Sequence, residues 1–420
     1  MIQRGTELQL TIEGPVFSTT GGSSLGGEGM SVARQDGFVF FVIGAVPGDV
    51  VKARVVKVKK NYAEAKVISI ERPSSLRTQP RCKHFGVCGG CKWQHVDYQA
   101  QLRFKQQRVV DAFERIGGFS QFDISPIIGA EEIYDYRNKM EFSFSDQQWL
   151  ESLPLANSGF DVSSPSGWGK ENSRLITRAQ SDVFLGLHVP QRYDKVLEID
   201  ECHLQSSISN RILNFTRDFA RKNQIPVFSS RDDSGYLRFL VIRQSRRTNE
   251  LMVNLVTYED RSDVMMQFSK ALRGEIPGIT TIVNTVNSRK AQIAYGEVEK
   301  VYFGDGVIHE QLGKFVFTVS ASSFFQTNTT QAEKLYETTC SMADLKKTDV
   351  VYDLYSGTGS IAIFVSQNVR EVLGFESSES AVRDAKRNAA ANNRGNCDFI
   401  LGDMKEQLSG DTDWKRSHPT

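Results

Sequence analysis

Asp349-Val-Val-Tyr-Asp-Leu-Tyr-Ser-Gly-Thr-Gly359 decides how the second half of this chain is read. An apolar run ends near Asp353 and Tyr355, and Gly357 and Gly359 follow before a new apolar stretch. Strand, glycine turn and helix in that order let backbone approach a ligand where a side chain would block it. Outward from it, the pattern predicts one helix over about Thr329 to Ala343 and another running to about Gln367. A strand Glu371–Glu376, a helix from Ser378 to Asn393 and a strand Cys397–Leu401 closed by Gly402-Asp403 complete the series. Strands alternating with helices build a parallel, doubly wound sheet.

Gly357-Thr-Gly-Ser-Ile-Ala362 also satisfies the dinucleotide fingerprint, which keeps a nicotinamide cofactor open. Two carboxylates favour S-adenosylmethionine. Asp353 precedes Gly357 by four residues, and Glu376 ends the second strand 19 residues after Gly357, where it can accept both ribose hydroxyls. Gly402-Asp403 ends the third strand, as adenine-contacting residues do in methyltransferases.

The first 73 residues read as short strands joined by glycine-rich turns. Glu7–Ile12 and Val50–Val58 alternate polar and apolar residues, Phe38–Ile43 reads as a strand buried on both faces, and Ala63–Ile70 adds another. About five strands in so short a stretch predict a small closed barrel of the OB type, a shape used on oligonucleotides. Between Val51 and Lys83 ten basic residues face only Glu64 and Glu71, a concentration that a polyanion selects. Lys57, Lys59, Lys60 and Tyr62 mix cations with a ring, as a phosphate-tracking, base-stacking surface would. A Pro/Ser/Arg linker from Arg72 to Gln79 separates this barrel from an α+β middle region, residues 80–320, and residues 321–420 form the doubly wound part. Within the middle region Asp97–Ile116 and Gln205–Asn223 read as helices, Val241–Val256 and Thr280–Tyr295 as strands, and Asp146–Asp182, with Trp149 and Trp168, as a long surface insertion.

Cys82, Cys88 and Cys91 lie within ten residues, with Gly89-Gly90 between the last two. Clustered thiols of this spacing bind metal, either zinc or an iron–sulfur cluster, and need a fourth ligand. Cys202 in Asp200-Glu-Cys-His-Leu-Gln205 is the best candidate, against a buried structural thiol; His84 and His95 could complete a zinc set instead.

The 420 residues carry 51 basic and 50 acidic side chains, 40% hydrophobic and 24% charged residues, an ordinary globular mixture that excludes general disorder. The longest apolar run, Phe38–Val46, is about half of what a bilayer requires, so no membrane span is expected. With no apolar leader at the N-terminus, a cytoplasmic location is expected.

Together these motifs resemble the RNA uracil-5-methyltransferase family, in the branch with an N-terminal TRAM domain and an iron–sulfur cluster. The resemblance runs through Gly26-Gly-Glu-Gly29, Gly44-Ala-Val-Pro-Gly48, the three clustered cysteines, Tyr136-Arg-Asn-Lys139, Cys202-His-Leu-Gln205, Ser323-Phe-Phe-Gln-Thr-Asn328 and Asp353-Leu-Tyr-Ser-Gly357. It implies a [4Fe-4S] cluster on Cys82, Cys88, Cys91 and Cys202, and an S-adenosylmethionine site lined by Gln326, Tyr355, Ser360, Glu376 and Asp403. It further implies methylation of carbon 5 of a uracil in RNA, 23S rRNA for this branch, by a monomeric enzyme acting through a covalent cysteine adduct. A non-catalytic rRNA-binding iron–sulfur protein is the alternative. The family's Asp-Pro-Pro-Arg-like and Ser-Cys-Asn-Pro-like motifs, which carry the nucleophile beyond the third strand, do not occur before Ser417-His-Pro-Thr420. The resemblance therefore predicts a truncated chain with an incomplete sheet, an exposed first-strand edge and no methylation on its own, its nucleophile lying beyond Thr420.

Overall fold

The computed structural model describes residues 2–15, 29–147, 183–190 and 192–409. Gly26-Gly-Glu28, nearly all of the stretch read as a surface insertion, and Ser417–Thr420 lie outside the described residues. Two compact units form, one from residues up to Ile133 with Gly186–His203, the other from Tyr134–Asp146 with Leu204 onward.

In the first unit, β1 (Glu7–Thr11), β2 (Gly14–Pro15), β3 (Met30–Gln35), β4 (Phe38–Ile43), β5 (Val50–Val58) and β6 (Tyr62–Arg72) lie in the order β1-β5-β6-β4-β3-β2. Residues 7–15 join both ends of that order. Leu10 pairs with Val51 of β5, while the Glu13 amide donates to the Val32 carbonyl at 2.8 Å and Gly14 pairs with Val32 of β3. The sheet therefore closes on itself, as the alternating strands predict. Its core holds Leu10, Ile12, Ala33, Phe40, Val42, Val51, Ala53, Val55, Ala63 and Ala65. Each large apolar side chain buried there contributes roughly 1.5–3 kcal/mol. β4 departs from the expected two-sided burial: only Phe40 and Val42 are buried, and Phe38, Val39, Phe41 and Ile43 are half-exposed. A small barrel has one interior, so alternate residues must face outward whatever their hydrophobicity.

Helix α1 (Tyr98–Arg115) starts where the Asp97 carboxylate accepts the Ala100 amide at 3.0 Å and ends before Gly117-Gly118. β7 (Lys139–Ser145) belongs to the second unit, whereas β8 (Phe184–Val189) and β9 (Arg192–Glu198) pair antiparallel, with Gly186 opposite Glu198.

The second unit continues with α2 (Ser207–Lys222), β10 (Leu237–Gln244), β11 (Leu251–Thr257), α3 (Ser262–Glu275), β12 (Thr281–Val286) and β13 (Val298–Phe303). Its strands run in the order β13-β12-β11-β10-β7. The single strand expected over Val241–Val256 is a hairpin, broken by the polar run Ser245–Glu250 in which Asn249 has φ 60°. The strand expected over Thr280–Tyr295 stops at Val286, because Asn287, Arg289 and Ala291 turn their carbonyls to the buried Arg238 guanidinium. Next come the hairpin β14 (Val307–Leu312) and β15 (Phe315–Ser320), α4 (Thr329–Met342), β16 (Val350–Asp353), α5 (Ser360–Val365), β17 (Glu371–Glu376), α6 (Glu379–Ala391), β18 (Cys397–Leu401) and α7 (Met404–Ser409). β16, β17 and β18 are parallel, with β16 at one edge among the described residues, and α4, α5, α6 and the β14–β15 hairpin share one core with them. Among the described residues no helix is long and apolar enough to cross a membrane.

Candidate functional site

Parallel pairing brings the C-terminal ends of β16, β17 and β18 to one side, where ligands of doubly wound sheets bind. Glu376 ends β17 and holds the glycine turn: one carboxylate oxygen accepts the Gly357 amide at 3.0 Å, the other the Ser378 amide at 2.8 Å. Gly359 caps α5 with φ 78°, and a Cβ there would lie 2.8 Å from the Phe399 ring. Gly357 has φ 53° but faces open space. The turn is thus packed hard on the sheet side and open on the other.

Asp353 is half-buried, and one of its carboxylate oxygens is buried without a partner. Burial raises its pKa and the Glu376 carboxylate adds to the rise, while the backbone amides of Ala362 and Tyr355 oppose it. A cationic ligand group would satisfy that oxygen. Tyr355 is 81% exposed, its ring free to cover a ligand. Asp403 follows β18 and its carboxylate accepts the Lys405 amide at 2.9 Å, starting α7, while the Gly402 amide donates to the Glu376 carbonyl at 3.0 Å. The Ser360 hydroxyl is bonded to the Tyr336 hydroxyl at 2.9 Å, a partner the sequence did not suggest.

Gln326 is carried by the loop between β15 and α4. Thr358 of the glycine turn donates to the Phe324 carbonyl at 3.3 Å, and Ser323 donates to Asp384 of α6 at 2.7 Å. Asn138, one residue before β7, donates to the Gln326 carbonyl at 2.8 Å and to the Thr329 hydroxyl at 2.9 Å. Thr329 in turn donates to the buried Glu310 at 2.8 Å, which also accepts Ser245 and the amides of Arg246 and Arg247. Tyr136-Arg-Asn-Lys139 drew notice in the sequence, but Thr329 and Glu310 carried no signal of this role.

In the first unit Cys82, Cys88 and Cys91 are free thiols, and Cys88 lies within electrostatic reach of Cys82, Cys91 and Cys202 together. Burial pushes the Cys88 thiol up to about 12, and its three neighbours add to that. The Gly90 amide donates to the Cys88 sulfur at 3.3 Å, and Gly89 lies so close to β8 that a Cβ would sit 2.6 Å from the His188 carbonyl oxygen. Asp200 draws the Cys202 segment onto this turn by accepting Lys83 and, at 2.9 Å, His84; these bonds outweigh the effect of burial and hold its carboxyl at about 2. Backbone amides serve Cys88 and Cys82, and thiols served in this way suit an iron–sulfur cluster as donors. Among the described residues, however, no three His, Cys, Asp or Glu side chains converge at the spacing of a single ion's ligands. His84 is bonded to Asp200 through Nε2 while its Nδ1 is buried without a partner, and His95 is buried against the Phe85 ring.

Of the other thiols, burial raises the pKa of Cys340 and pushes Cys397, buried in β18, up to about 11. Both shifts run opposite to the lowering that activates a nucleophilic thiol.

A glycine turn gripped by a strand-end carboxylate, on a parallel sheet, defines a doubly wound site for a nucleoside-bearing cofactor. Residues 235–417 match the tRNA (Uracil-5-)-methyltransferase family and residues 3–68 the TRAM domain. An uncharacterized RNA methyltransferase of Chlorobaculum tepidum is 40% identical over 360 residues, covering 86% of this chain and 71% of the relative. One from Porphyromonas gingivalis is 37% identical over 391 residues, covering 93% and 81%. Pyrococcus abyssi tRNA (uracil-54, C5)-methyltransferase in complex with S-adenosyl-L-homocysteine superposes with a TM-score of 0.62 at 26% identity, covering 89% of this chain and 76% of that one. The chain belongs to the RNA uracil-5-methyltransferase family, in its TRAM-bearing form.

Proposed function

We propose that this protein serves the methylation of carbon 5 of a uracil in 23S rRNA, with residues 1–73 and 80–320 engaging RNA and residues 321–420 holding the methyl donor. The observation that carries the donor site is the 3.0 Å bond from the Gly357 amide to Glu376 beside the unpartnered Asp353 oxygen. Gln326, Tyr355, Ser360, Glu376 and Asp403 would line that site, Glu376 accepting the ribose hydroxyls and Asp353 facing the cationic methionyl end. S-adenosylmethionine supplies an electrophilic methyl group on a sulfonium. Carbon 5 of uracil is a weak nucleophile, so the reaction needs a thiolate added at carbon 6. The resulting enolate takes the methyl at carbon 5, a base removes the carbon 5 proton, and the thiolate leaves. The target base must leave its stack to be reached. The preference for 23S rRNA over tRNA rests on the pairing of barrel with cysteine cluster, and Cys82, Cys88, Cys91 and Cys202 would hold a [4Fe-4S] cluster that stiffens the RNA-facing unit.

Deleting the gene and mapping 5-methyluridine by mass spectrometry tests the reading. Loss of the modification from 23S rRNA is expected. Loss from tRNA alone would overturn the rRNA assignment, and no loss from either would overturn uracil methylation. Stoichiometric zinc without iron in anaerobically purified protein would overturn the cluster.

A further inference from the structure

Lys139 and Arg243 are direct cross-strand partners in the β7–β10 pair, two cations side by side on one sheet face. Like charges so placed repel, and they persist where something else compensates. Both are largely withdrawn from water: the Lys139 side chain is 19% exposed and Arg243 only 2%. Arg243 donates to the carbonyls of Ala321 and Ser323, neutral acceptors, and its Nε has no partner; Glu141 and Glu299 act on its charge only at longer range, without a hydrogen bond to it. Lys139 reaches Glu141 only at 3.6 Å. Arg137 adds a third cation along the same strand run, and its Nε is also buried without a partner. The remaining carboxylate facing Arg243 is Glu299, whose pKa is raised by burial, so its negative charge is the less assured. The Tyr295 ring, 46% exposed, lies over Lys139 with its centroid 5.7 Å from the ammonium. It belongs to the segment whose carbonyls Arg238 anchors, so the ring is presented from a fixed support.

We propose that Lys139, backed by the buried charge of Arg243 and roofed by Tyr295, is the seat for a phosphodiester of the RNA substrate, with the Tyr295 ring stacking a neighbouring base. This rests on the reading of the chain as an RNA methyltransferase. The lysine makes the contact, and Arg243 supplies fixed positive potential from behind while holding the Ser323 loop through its carbonyl. A partly dehydrated cation excess calls for an anion, and the exposed ring beside it suits a nucleotide better than a free inorganic ion.

The test is filter binding of unmodified 23S rRNA transcripts by the full chain over a salt series, with S-adenosylhomocysteine binding measured alongside. Lys139→Gln should weaken RNA binding several-fold and reduce the slope of log affinity against log salt by about one, leaving S-adenosylhomocysteine binding unchanged. Lys139→Arg should restore the slope, and Glu141→Gln should strengthen binding. Tyr295→Ala should lower RNA affinity about fivefold or more with the slope intact. An unchanged slope and affinity in Lys139→Gln would overturn the proposal in favour of a purely structural cluster. Weakened S-adenosylhomocysteine binding with RNA unaffected would overturn it in favour of the cofactor's carboxylate. Wild-type protein that binds neither ligand would sink the methyltransferase reading itself.

Discussion

The Asn138 side-chain amide donates to the Gln326 carbonyl at 2.8 Å across 188 positions of sequence. Its second bond, to Thr329, fixes the same loop at the start of α4, whose cap is Asn328. Replacing Asn138 with Ala leaves the Gln326 carbonyl without this donor, and a lost buried bond of this kind costs about 1–3 kcal/mol. Asn138→Ala should therefore lower the urea midpoint and weaken S-adenosylhomocysteine binding by several-fold, measured by calorimetry. Unchanged affinity in a variant that is destabilised would show that the bond serves folding alone.

The glycine turn offers a paired comparison. Gly359→Ala meets both a positive φ and the Phe399 ring 2.8 Å away, whereas Gly357→Ala meets a positive φ in open space. The backbone term alone is about 1–2 kcal/mol. Gly359→Ala should exceed it in thermal melts and Gly357→Ala should stay within it. Both should weaken S-adenosylhomocysteine binding, Gly357→Ala by filling the open side of the turn.

Much of this sheet was legible beforehand. Glu371–Glu376 and Cys397–Leu401 have the bounds their apolar runs predict, and the helix expected from Thr329 begins there because Asn328 is a strong cap. The turn inside Val241–Val256 is marked only by the polar run Ser245–Glu250, which the apolar residues on either side mask. Helix α3 has Val264, Phe268 and Leu272 at helical spacing, a short signal set in a polar surround. The bonds among Asn138, Thr329 and Glu310 had no signal at all, since polar residues far apart in sequence give no period. The clustering of Cys82, Cys88 and Cys91 is visible in the sequence, while the clamp of Lys83 and His84 on Asp200 emerges only when the chain is folded.

The cysteine assignment predicts that Cys202→Ser protein, purified without oxygen, loses most of its iron and acid-labile sulfide. Its barrel should keep native circular dichroism, because the barrel core lies within residues 10–67 and holds none of the four cysteines. Full iron content in this variant would remove Cys202 from the ligand set.

His95 gives the first unit an acid sensitivity. Burial lowers its pKa from 6.5 to about 4, with Arg77 adding to the shift and Asp49 opposing it. Between those values the unfolded chain binds a proton that the folded chain refuses. This share of stability is therefore complete above about pH 6.5 and is lost as pH falls towards 4. The urea midpoint of His95→Phe should decline less between pH 7 and pH 4.5 than that of the wild type; parallel declines would falsify the assignment.

Residues 7–15 zip β5 on one side and β3 on the other, so a single short segment seals both seams of the barrel. Trimming it would not merely shorten the protein. Two rows of backbone donors and acceptors would be bared at once, each able to recruit a strand from another molecule, and the consequence would be self-association at the end meant for RNA. An affinity tag fused at the N-terminus should therefore be spaced well clear of Glu7.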